Sequence, residues 1–239
     1  HKLSIFMEFA PGGSVRQLLK AKGALDESIC ASYIDQVLQG LVYLHTNGIA
    51  HRDVKGANVL LSHDLAGAKL ADFGASKRIE KLGEDASNAS GLRGTPRWMA
   101  PELIRGELTG DLEGWILSDV WSVGCTLVEM ATGQLPWPQF PNPMAAMFHI
   151  SQGIAPPLGS TQLSAACADF LKVPMNAGMK NLIDQAANGC RVRPGAGAWI
   201  GAFGAKRSFF SHIDHFWTKS GRYFFISTAL DQSGRSDSA

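Results

Sequence analysis

One short polar stretch, residues 51–58, places three chemically useful side chains at fixed offsets: Asp53, Lys55 and Asn58. An aspartate on a loop can orient a hydroxyl group and accept its proton, and a nearby lysine can stabilise charge on a transferred phosphate. An amide oxygen can bind a divalent cation. A lone aspartate before a polar run is more often a turn or capping residue. The three side chains together favour group transfer to a hydroxyl.

A second carboxylate follows in Asp72-Phe73-Gly74. At a strand end, with a glycine allowing a sharp turn, Asp72 is a candidate Mg²⁺ ligand that acts with Asn58. The competing interpretation is an Asx-turn that precedes a buried phenylalanine. We interpret His51 as a packing residue under Phe73 rather than as an acid or base.

Arg52 is a cation beside the candidate proton acceptor, and burying it without an anion would be costly. The polar segment after it in sequence carries Ser87, Ser90 and Thr95. A phosphate on one of these side chains could order the segment through Arg52. The alternative is a solvated loop with no modification. We prefer Ser87 and Ser90 as the phosphorylation sites.

Thr95 has a second interpretation, in which its hydroxyl hydrogen-bonds toward Asp53 and Lys55 and shapes a site for a Ser or Thr acceptor. We prefer this role for Thr95. Glu102 ends an Ala-Pro-Glu motif, and we expect it to be buried and to need a cation, for which Arg193 is the candidate.

Local signals predict the elements that position these residues. Ser14 is a plausible N-cap for a first helix. Asp26 opens a longer helix that ends near Asn47-Gly48. The predicted buried face of this longer helix consists of Ile29, Tyr33, Val37, Leu41 and Leu44. Residues 59–61 and 68–70 are predicted to form a hairpin.

Two further elements frame the site. The nearly apolar run from Val120 to Thr132 predicts a helix buried on every side. Asp119 should open this helix, where its carboxylate can cap the helix and hold the backbone of the 51–58 loop. Near the N-terminus, Leu3 to Phe9 reads as a strand that runs into a glycine turn.

Composition sets wider limits. The chain has 239 residues and a net charge of +1, which gives no basic footprint for nucleic acid. Its longest apolar stretch is too short to span a bilayer. Four scattered cysteines without a CxxC pair predict reduced thiols in an intracellular, cytoplasmic protein. Because the chain begins without Met, we interpret it as an excerpt of a longer protein. The oligomeric state is left open.

With these motifs in view, residues 3–171 resemble a eukaryotic Ser/Thr protein kinase from the hinge onward. In particular they resemble the plant-type mitogen-activated protein kinase kinase kinases. Lys55 and Thr95 mark the Ser/Thr rather than the Tyr type. The resemblance is carried by five stretches: 6–14, 51–59, 69–77, 94–102 and 119–126.

The resemblance implies ATP and Mg²⁺ as cofactors and a downstream kinase kinase as the protein substrate. At the hinge, the carbonyl of Glu8 and the N–H of Ala10 would bind adenine, Met7 would close the back of the pocket, and Leu60 would form its floor. The implied fold is mainly α, in the α+β class: a kinase C-terminal lobe with small hairpins that lacks most of the N-lobe sheet.

Three departures accompany the resemblance. No glycine-rich loop, strand lysine or αC glutamate precedes Phe6, so we expect the isolated fragment to be inactive. Residues 108–117 look about five residues too long for the family. Beyond a partial kinase domain at 1–172, the segment 173–239 is divergent: it could hold the end of the lobe around 190–203 and then a disordered tail.

Retained intron or shifted-frame sequence would explain the extra segments, and a lineage-specific insertion is the competing account. The alternative function is a non-catalytic docking or regulatory module. A third interpretation, an unrelated metal-dependent phosphohydrolase, uses the same Asp and Asn logic but fails to explain the Ala-Pro-Glu motif at 100–102.

Overall fold

A computed structural model describes residues 7–78, 94–108, 112–159 and 163–175. Helix α1, Val15–Lys22, begins with a reciprocal capping box: the Ser14 hydroxyl accepts from the N–H of Gln17, and the Gln17 side chain accepts from the N–H of Ser14. This confirms the predicted N-cap. The box fixes where the chain enters the helix.

Helix α2, Glu27–Thr46, follows with Asp26 at its N-cap and ends at Asn47, after which Gly48 adopts a φ of +71°. Both predicted ends are confirmed. The predicted buried face is wrong at one position, since Ile29 is 38% exposed. Cys30 points into the core in place of Ile29, and Ile34 is buried beside the predicted Tyr33.

Four short strands in the described ranges form two antiparallel pairs. Strand β1, Ile49–Ala50, pairs with β4, Lys77–Arg78, and β2, Val59–Leu61, pairs with β3, Ala68–Leu70. The second pair is the predicted hairpin. The segment after the candidate hinge lies alongside it, since the N–H of Gly12 donates to Leu61 and the N–H of Leu61 donates to Gly13.

The centre of the fold is helix α4, Leu112–Thr132, which follows the short helix α3, Pro101–Arg105. Every residue from Ser118 to Ala131 is buried, as predicted for this helix. The predicted start is wrong, however. Asp119 lies inside α4 rather than at its N-cap, because the preceding turns from Leu112 are also helical.

Helices α5, Pro143–Ser151, and α6, Ala165–Met175, complete the described part of the lobe. α2 and α6 pack against α4 around one apolar core, which includes Ile34, Leu41 and Leu127. A second, smaller core lies between α4, α5 and the turn at Pro96–Trp98, and includes Trp121 and Trp137. The two cores hold α4 from opposite sides.

The predicted N-terminal strand and the predicted divergent C-terminal segment lie only partly within the described residues. Residues 7–10 have no strand structure, and the earlier part of the predicted strand, residues 3–6, lies outside the described residues. The segment 176–239 lies outside them as well. Cys30, Cys125 and Cys167 are buried free thiols, as predicted, and burial raises the pKa of Cys30 to about 12.

None of the helices in the described ranges has the length and apolar character needed to cross a bilayer. The secondary structure in those ranges is mainly helical with one small hairpin and one further pair of two-residue strands, which agrees with the predicted mainly helical class.

Candidate active site

Asp119 of α4 binds the backbone at the start of the 51–58 loop. One carboxylate oxygen accepts from the N–H of His51 at 2.9 Å and the other from the N–H of Arg52 at 2.8 Å. Nε2 of His45 lies 2.8 Å from the first oxygen. Arg52 has a φ of +69°, a conformation that costs a non-glycine residue about 1–3 kcal/mol. The two hydrogen bonds that the buried carboxylate accepts from the backbone offset that strain.

The side chains of Asp53, Lys55 and Thr95 form a closed triangle of hydrogen bonds. Nζ of Lys55 donates to Asp53 at 2.7 Å and to Oγ1 of Thr95 at 2.6 Å. The Thr95 hydroxyl in turn donates to the other Asp53 oxygen at 2.7 Å. Charge-assisted bonds of this length are among the stronger ones in proteins. The structure therefore brings together three residues that the sequence singled out, including the preferred contact of Thr95.

Asn58 lies directly beside this triangle and is buried. Its amide NH₂ group donates to the backbone carbonyl of Asp53 at 2.9 Å and to the Asp53 carboxylate at 3.0 Å. Because both bonds use the NH₂ group, the amide oxygen points away from Asp53. The N–H of Ala71 donates to the backbone carbonyl of Asn58 at 2.9 Å. This bond brings Asp72, the next residue, to the side of Asn58.

Asp72 is exposed and adopts the left-handed conformation, with a φ of +63°. Its carboxylate accepts from the N–H of Gly74 at 3.2 Å, so the predicted sharp turn is present. An aspartate oxygen and an amide oxygen are ligands that suit Mg²⁺, which keeps several waters or phosphate oxygens in its shell. Within the described ranges, no cluster of three or more His, Cys, Asp or Glu side chains could hold a metal by itself.

His51 is fully buried and lies edge-on to Phe73, with ring centroids 5.3 Å apart. Its Nδ1 accepts from the N–H of Asp53, and its Nε2 lies 3.2 Å from the carbonyl of Ala71. A neutral ring with its proton on Nε2 satisfies both bonds. Burial lowers the pKa of His51, which favours the neutral form, although Asp119 opposes the shift. The predicted packing under Phe73 is present, but Phe73 itself is 52% exposed.

The Arg52 guanidinium group lies 4.2 Å from the centre of the Trp115 ring, a cation–π contact with the first part of α4. The sequence did not point to Trp115, which is 2% exposed. Ser87 and Ser90 lie outside the described residues. Their proposed phosphate contact with Arg52 stays a prediction.

The candidate adenine-binding segment is only partly placed. Met7 is 84% exposed, and Glu8 forms an exposed ion pair with Lys69 at 2.7 Å. Ala10 is half-buried, and so is Leu60, on the strand that pairs with Lys69 and neighbours Ser14. The segment therefore passes beside Leu60. Its contacts with adenine stay a prediction.

Glu102 is half-buried on α3. Burial raises the pKa of its carboxyl group, and Arg105 partly opposes this shift. Arg193, the predicted partner, lies outside the described residues. The ion pair between the two stays a prediction.

Two buried charged residues, Glu129 and Arg97, were not assigned a role from the sequence. Glu129 of α4 is fully buried and accepts from the N–H of Gly56 at 3.0 Å, while its other oxygen lies 3.4 Å from Arg16. Arg97, two residues after Thr95, donates to four backbone carbonyls in the segment 136–141. A charged residue inside an apolar run, such as Glu129, is the one sequence signal that could have found the first.

A mainly helical lobe whose central helix holds an Asp-bearing loop beside an Asp-Phe-Gly turn has the architecture of a protein kinase C-terminal lobe. The comparisons agree with this class. The family described as "Protein kinase domain" matches residues 1–182, and the chain therefore belongs to the protein kinase family. This confirms the predicted family and fold class. Protein kinases as a class use ATP and Mg²⁺.

Curated relatives place the chain more narrowly. Mitogen-activated protein kinase kinase kinase 3 of Mus musculus is 47% identical over 171 residues, which are 71% of this chain and 26% of the relative. Mitogen-activated protein kinase kinase kinase 2 of Arabidopsis thaliana is 46% identical over 71% of this chain and 25% of its own length. Mitogen-activated protein kinase kinase kinase A of Dictyostelium discoideum is 44% identical over 72% and 17%.

These relatives confirm the predicted resemblance to mitogen-activated protein kinase kinase kinases, and they include the plant proteins. The chain spans about a quarter or less of the length of the relatives it matches.

Proposed function

We propose that this chain carries the hydroxyl-activating half of a Ser/Thr protein kinase at the kinase kinase kinase level of a mitogen-activated protein kinase cascade. Its substrate would be a hydroxyl group of a downstream protein kinase kinase. The observation that supports this most is the closed triangle of Asp53, Lys55 and Thr95 on a loop held by a buried helix.

In the proposed reaction, Asp53 accepts a hydrogen bond from the substrate hydroxyl, orients its oxygen toward the γ-phosphate of ATP and takes up its proton late in the transfer. Lys55 is within reach of the same space and stabilises negative charge that develops on the transferred group. Thr95 holds both side chains and would yield its hydrogen bond to Asp53 when a substrate hydroxyl arrives.

Asn58 and Asp72 would hold Mg²⁺, which supplies charge neutralisation between the phosphates when bound. The fit rests on two oxygen ligands brought together by the hydrogen bond from Ala71 to Asn58. Leu60, with the backbone of Glu8 and Ala10, would contact adenine, and Met7 would lie behind it. The partial kinase domain at 1–172 and the divergent segment 173–239 remain part of this proposal, as does the inactivity of the fragment alone.

The test is phosphotransfer from labelled ATP with Mg²⁺ to a generic Ser/Thr acceptor. It compares this chain with a chain extended upstream at its locus, each with and without Asp53→Asn. Asp35→Asn is the matched control, since Asp35 is a half-buried aspartate on α2 whose carboxylate accepts a hydrogen bond from Gln39. We expect activity in the extended chain, lost in Asp53→Asn and kept in Asp35→Asn.

Equal activity in Asp53→Asn and Asp35→Asn would overturn the assignment of Asp53. No phosphotransfer in either chain length, together with no binding of Mg²⁺–ATP, would favour the docking or regulatory module instead.

A further inference from the structure

Glu129 is a buried carboxylate that the proposed reaction does not use. It lies in the apolar helix α4 and is fully buried, although a buried charge needs compensation from partners. One of its oxygens accepts from the backbone N–H of Gly56 at 3.0 Å. Gly56 directly follows Lys55 in the loop. The carboxylate therefore holds the loop at the residue next to the proposed charge-stabilising lysine.

The second partner of Glu129 comes from a different part of the chain. Nη1 of Arg16 lies 3.4 Å from the other carboxylate oxygen, and the Arg16 side chain is 24% exposed. Arg16 is in the first turn of α1, between the capping-box residues Ser14 and Gln17. Both α1 and α4 pack against the turn at residues 56–58. Glu129 thus joins the helix that follows the hinge to the loop that carries Asp53.

The packing at Gly56 is an independent sign that this contact is built closely. A Cβ atom added to Gly56 would lie 2.8 Å from Oε2 of Glu129 and 3.0 Å from its carboxyl carbon. These separations are too short for non-bonded atoms. A side chain at this position would therefore push the carboxylate away from the loop, and the absence of one lets the two groups meet.

We propose that Glu129 is a positioning residue for the phosphotransfer loop, which it fixes through Gly56 while the Arg16 ion pair ties that position to α1. This inference rests on the proposed function. It assigns no contact between Glu129 and the substrate. Asp119 holds the start of the loop at residues 51 and 52, and Glu129 holds its other end at Gly56.

The test uses one main variant, Glu129→Leu, and two comparison variants, Glu129→Gln and Gly56→Ala. Glu129→Leu removes the acceptor and leaves the Gly56 N–H buried without a partner. Glu129→Gln keeps an oxygen that can accept from Gly56 but removes the charge that faces Arg16. Gly56→Ala displaces the carboxylate without changing the charge of the chain.

The matched control is Thr126→Val, which removes a different buried hydrogen bond from the same helix. Thr126 is fully buried, and its hydroxyl donates to the carbonyl of Ser122 at 2.8 Å. The first readout is hydrogen exchange at the Gly56 amide in the full chain. The second is kcat and KM for ATP in the upstream-extended chain.

We expect Glu129→Leu and Gly56→Ala to speed exchange at Gly56 by about tenfold or more, with Thr126→Val and Glu129→Gln within about threefold of the parent. In the kinetic readout, Glu129→Leu should lower kcat by about tenfold with KM for ATP little changed, and Glu129→Gln should recover most of it. Gly56 exchange that is equal in Glu129→Leu and Thr126→Val would overturn the proposal.

The exchange readout keeps the two hypotheses separate. If no phosphotransfer sensitive to Asp53→Asn is found, the proposed function fails, and exchange at Gly56 still decides whether Glu129 positions the loop. If phosphotransfer is present but Glu129→Leu and Thr126→Val lower kcat equally, the function stands and the positioning role is overturned.

Discussion

The two sides of the candidate site are built differently. On the hydroxyl-transfer side, Asp119 holds the backbone at residues 51 and 52 and Glu129 holds it at Gly56, and both carboxylates are buried in α4. On the metal side, Asp72 is exposed, and among the described residues its carboxylate contacts the N–H of Gly74.

The two sides also differ in how firmly the surrounding structure holds them. A buried carboxylate that accepts backbone N–H groups cannot move without leaving those groups unsatisfied in the interior, which costs about 1–3 kcal/mol for each. An exposed aspartate in a tight turn has no such restraint. The loop that carries Asp53 is therefore set by the fold, whereas Asp72, the proposed metal ligand, is free of this restraint.

Removing Asp119 should have the largest effect on stability. Asp119→Ala leaves the N–H groups of His51 and Arg52 without their acceptor and removes the partner of His45. We expect the free energy of unfolding to fall by about 3–5 kcal/mol in urea titrations. A loss below about 1 kcal/mol would show that the loop holds its conformation without α4.

Arg97 should be next, because it ties the Thr95 turn to the 136–141 segment. Arg97→Leu leaves its buried carbonyl acceptors unsatisfied and should lower the free energy of unfolding by about 2–3 kcal/mol. Arg97→Lys should recover part of the loss, since a lysine reaches fewer of the acceptors. If Arg97→Leu is as stable as the parent in the same titration, the segment does not depend on this contact.

Thr95 tests the transfer side by function. Thr95→Val removes the hydroxyl that bridges Asp53 and Lys55 at nearly constant volume, and Thr95→Ser keeps it. A hydrogen bond to a charged group contributes about 1.5–3 kcal/mol, so we expect kcat/KM of the upstream-extended chain to fall by about tenfold or more in Thr95→Val. Equal rates for the two variants would contradict the bridging role.

His51 gives the transfer side a pH dependence. Burial lowers the pKa of His51 in the folded chain, so between its folded and ordinary pKa values the unfolded chain binds the extra proton. Stability from this group is present above the ordinary pKa near 6.5 and is lost as the pH falls below it. Denaturation midpoints measured from pH 7.5 to pH 5 should fall less steeply in His51→Gln than in the parent. Parallel profiles would contradict this.

Asp72 should have the smallest effect on folding. Asp72→Ala removes the hydrogen bond to the N–H of Gly74 at an exposed turn, so we expect the free energy of unfolding to fall by about 1 kcal/mol, well below the loss in Asp119→Ala. The same variant should weaken binding of Mg²⁺–ATP in titration calorimetry with the extended chain. A stability loss as large as that of Asp119→Ala would remove the contrast between the two sides.

Much of the site could be predicted from the sequence because its motifs are local. The offsets within residues 51–58 and 72–74 single out Asp53, Lys55, Asn58 and Asp72 without knowledge of the fold. The capping and glycine signals predicted the start of α1 and both ends of α2. The predicted start of α4 was wrong, because an aspartate before an apolar run is typical of an N-cap. Nothing local in the sequence shows that helical turns precede Asp119.

Glu129 and Arg97 could not be assigned a role in advance. The partners of Glu129 are Gly56 and Arg16, and those of Arg97 are backbone carbonyls at 136–141, all of them distant in sequence. Backbone carbonyl and N–H groups are the same in nearly every residue, so the side-chain pattern of a sequence does not show which of them will bind a buried charge. Only packing shows which ones a buried charge will meet.

From the sequence alone, the candidate chemical groups could be identified, because reactivity belongs to residue types and to short fixed spacings. The tertiary structure decided which of those groups meet and how firmly they are held. Thr95 reaches Asp53 and Lys55 from a distant segment, and Asp119 and Glu129 reach the same loop from inside one helix. The physical reason is that a buried charge must find its partners within hydrogen-bond distance, and only the folded chain brings them there.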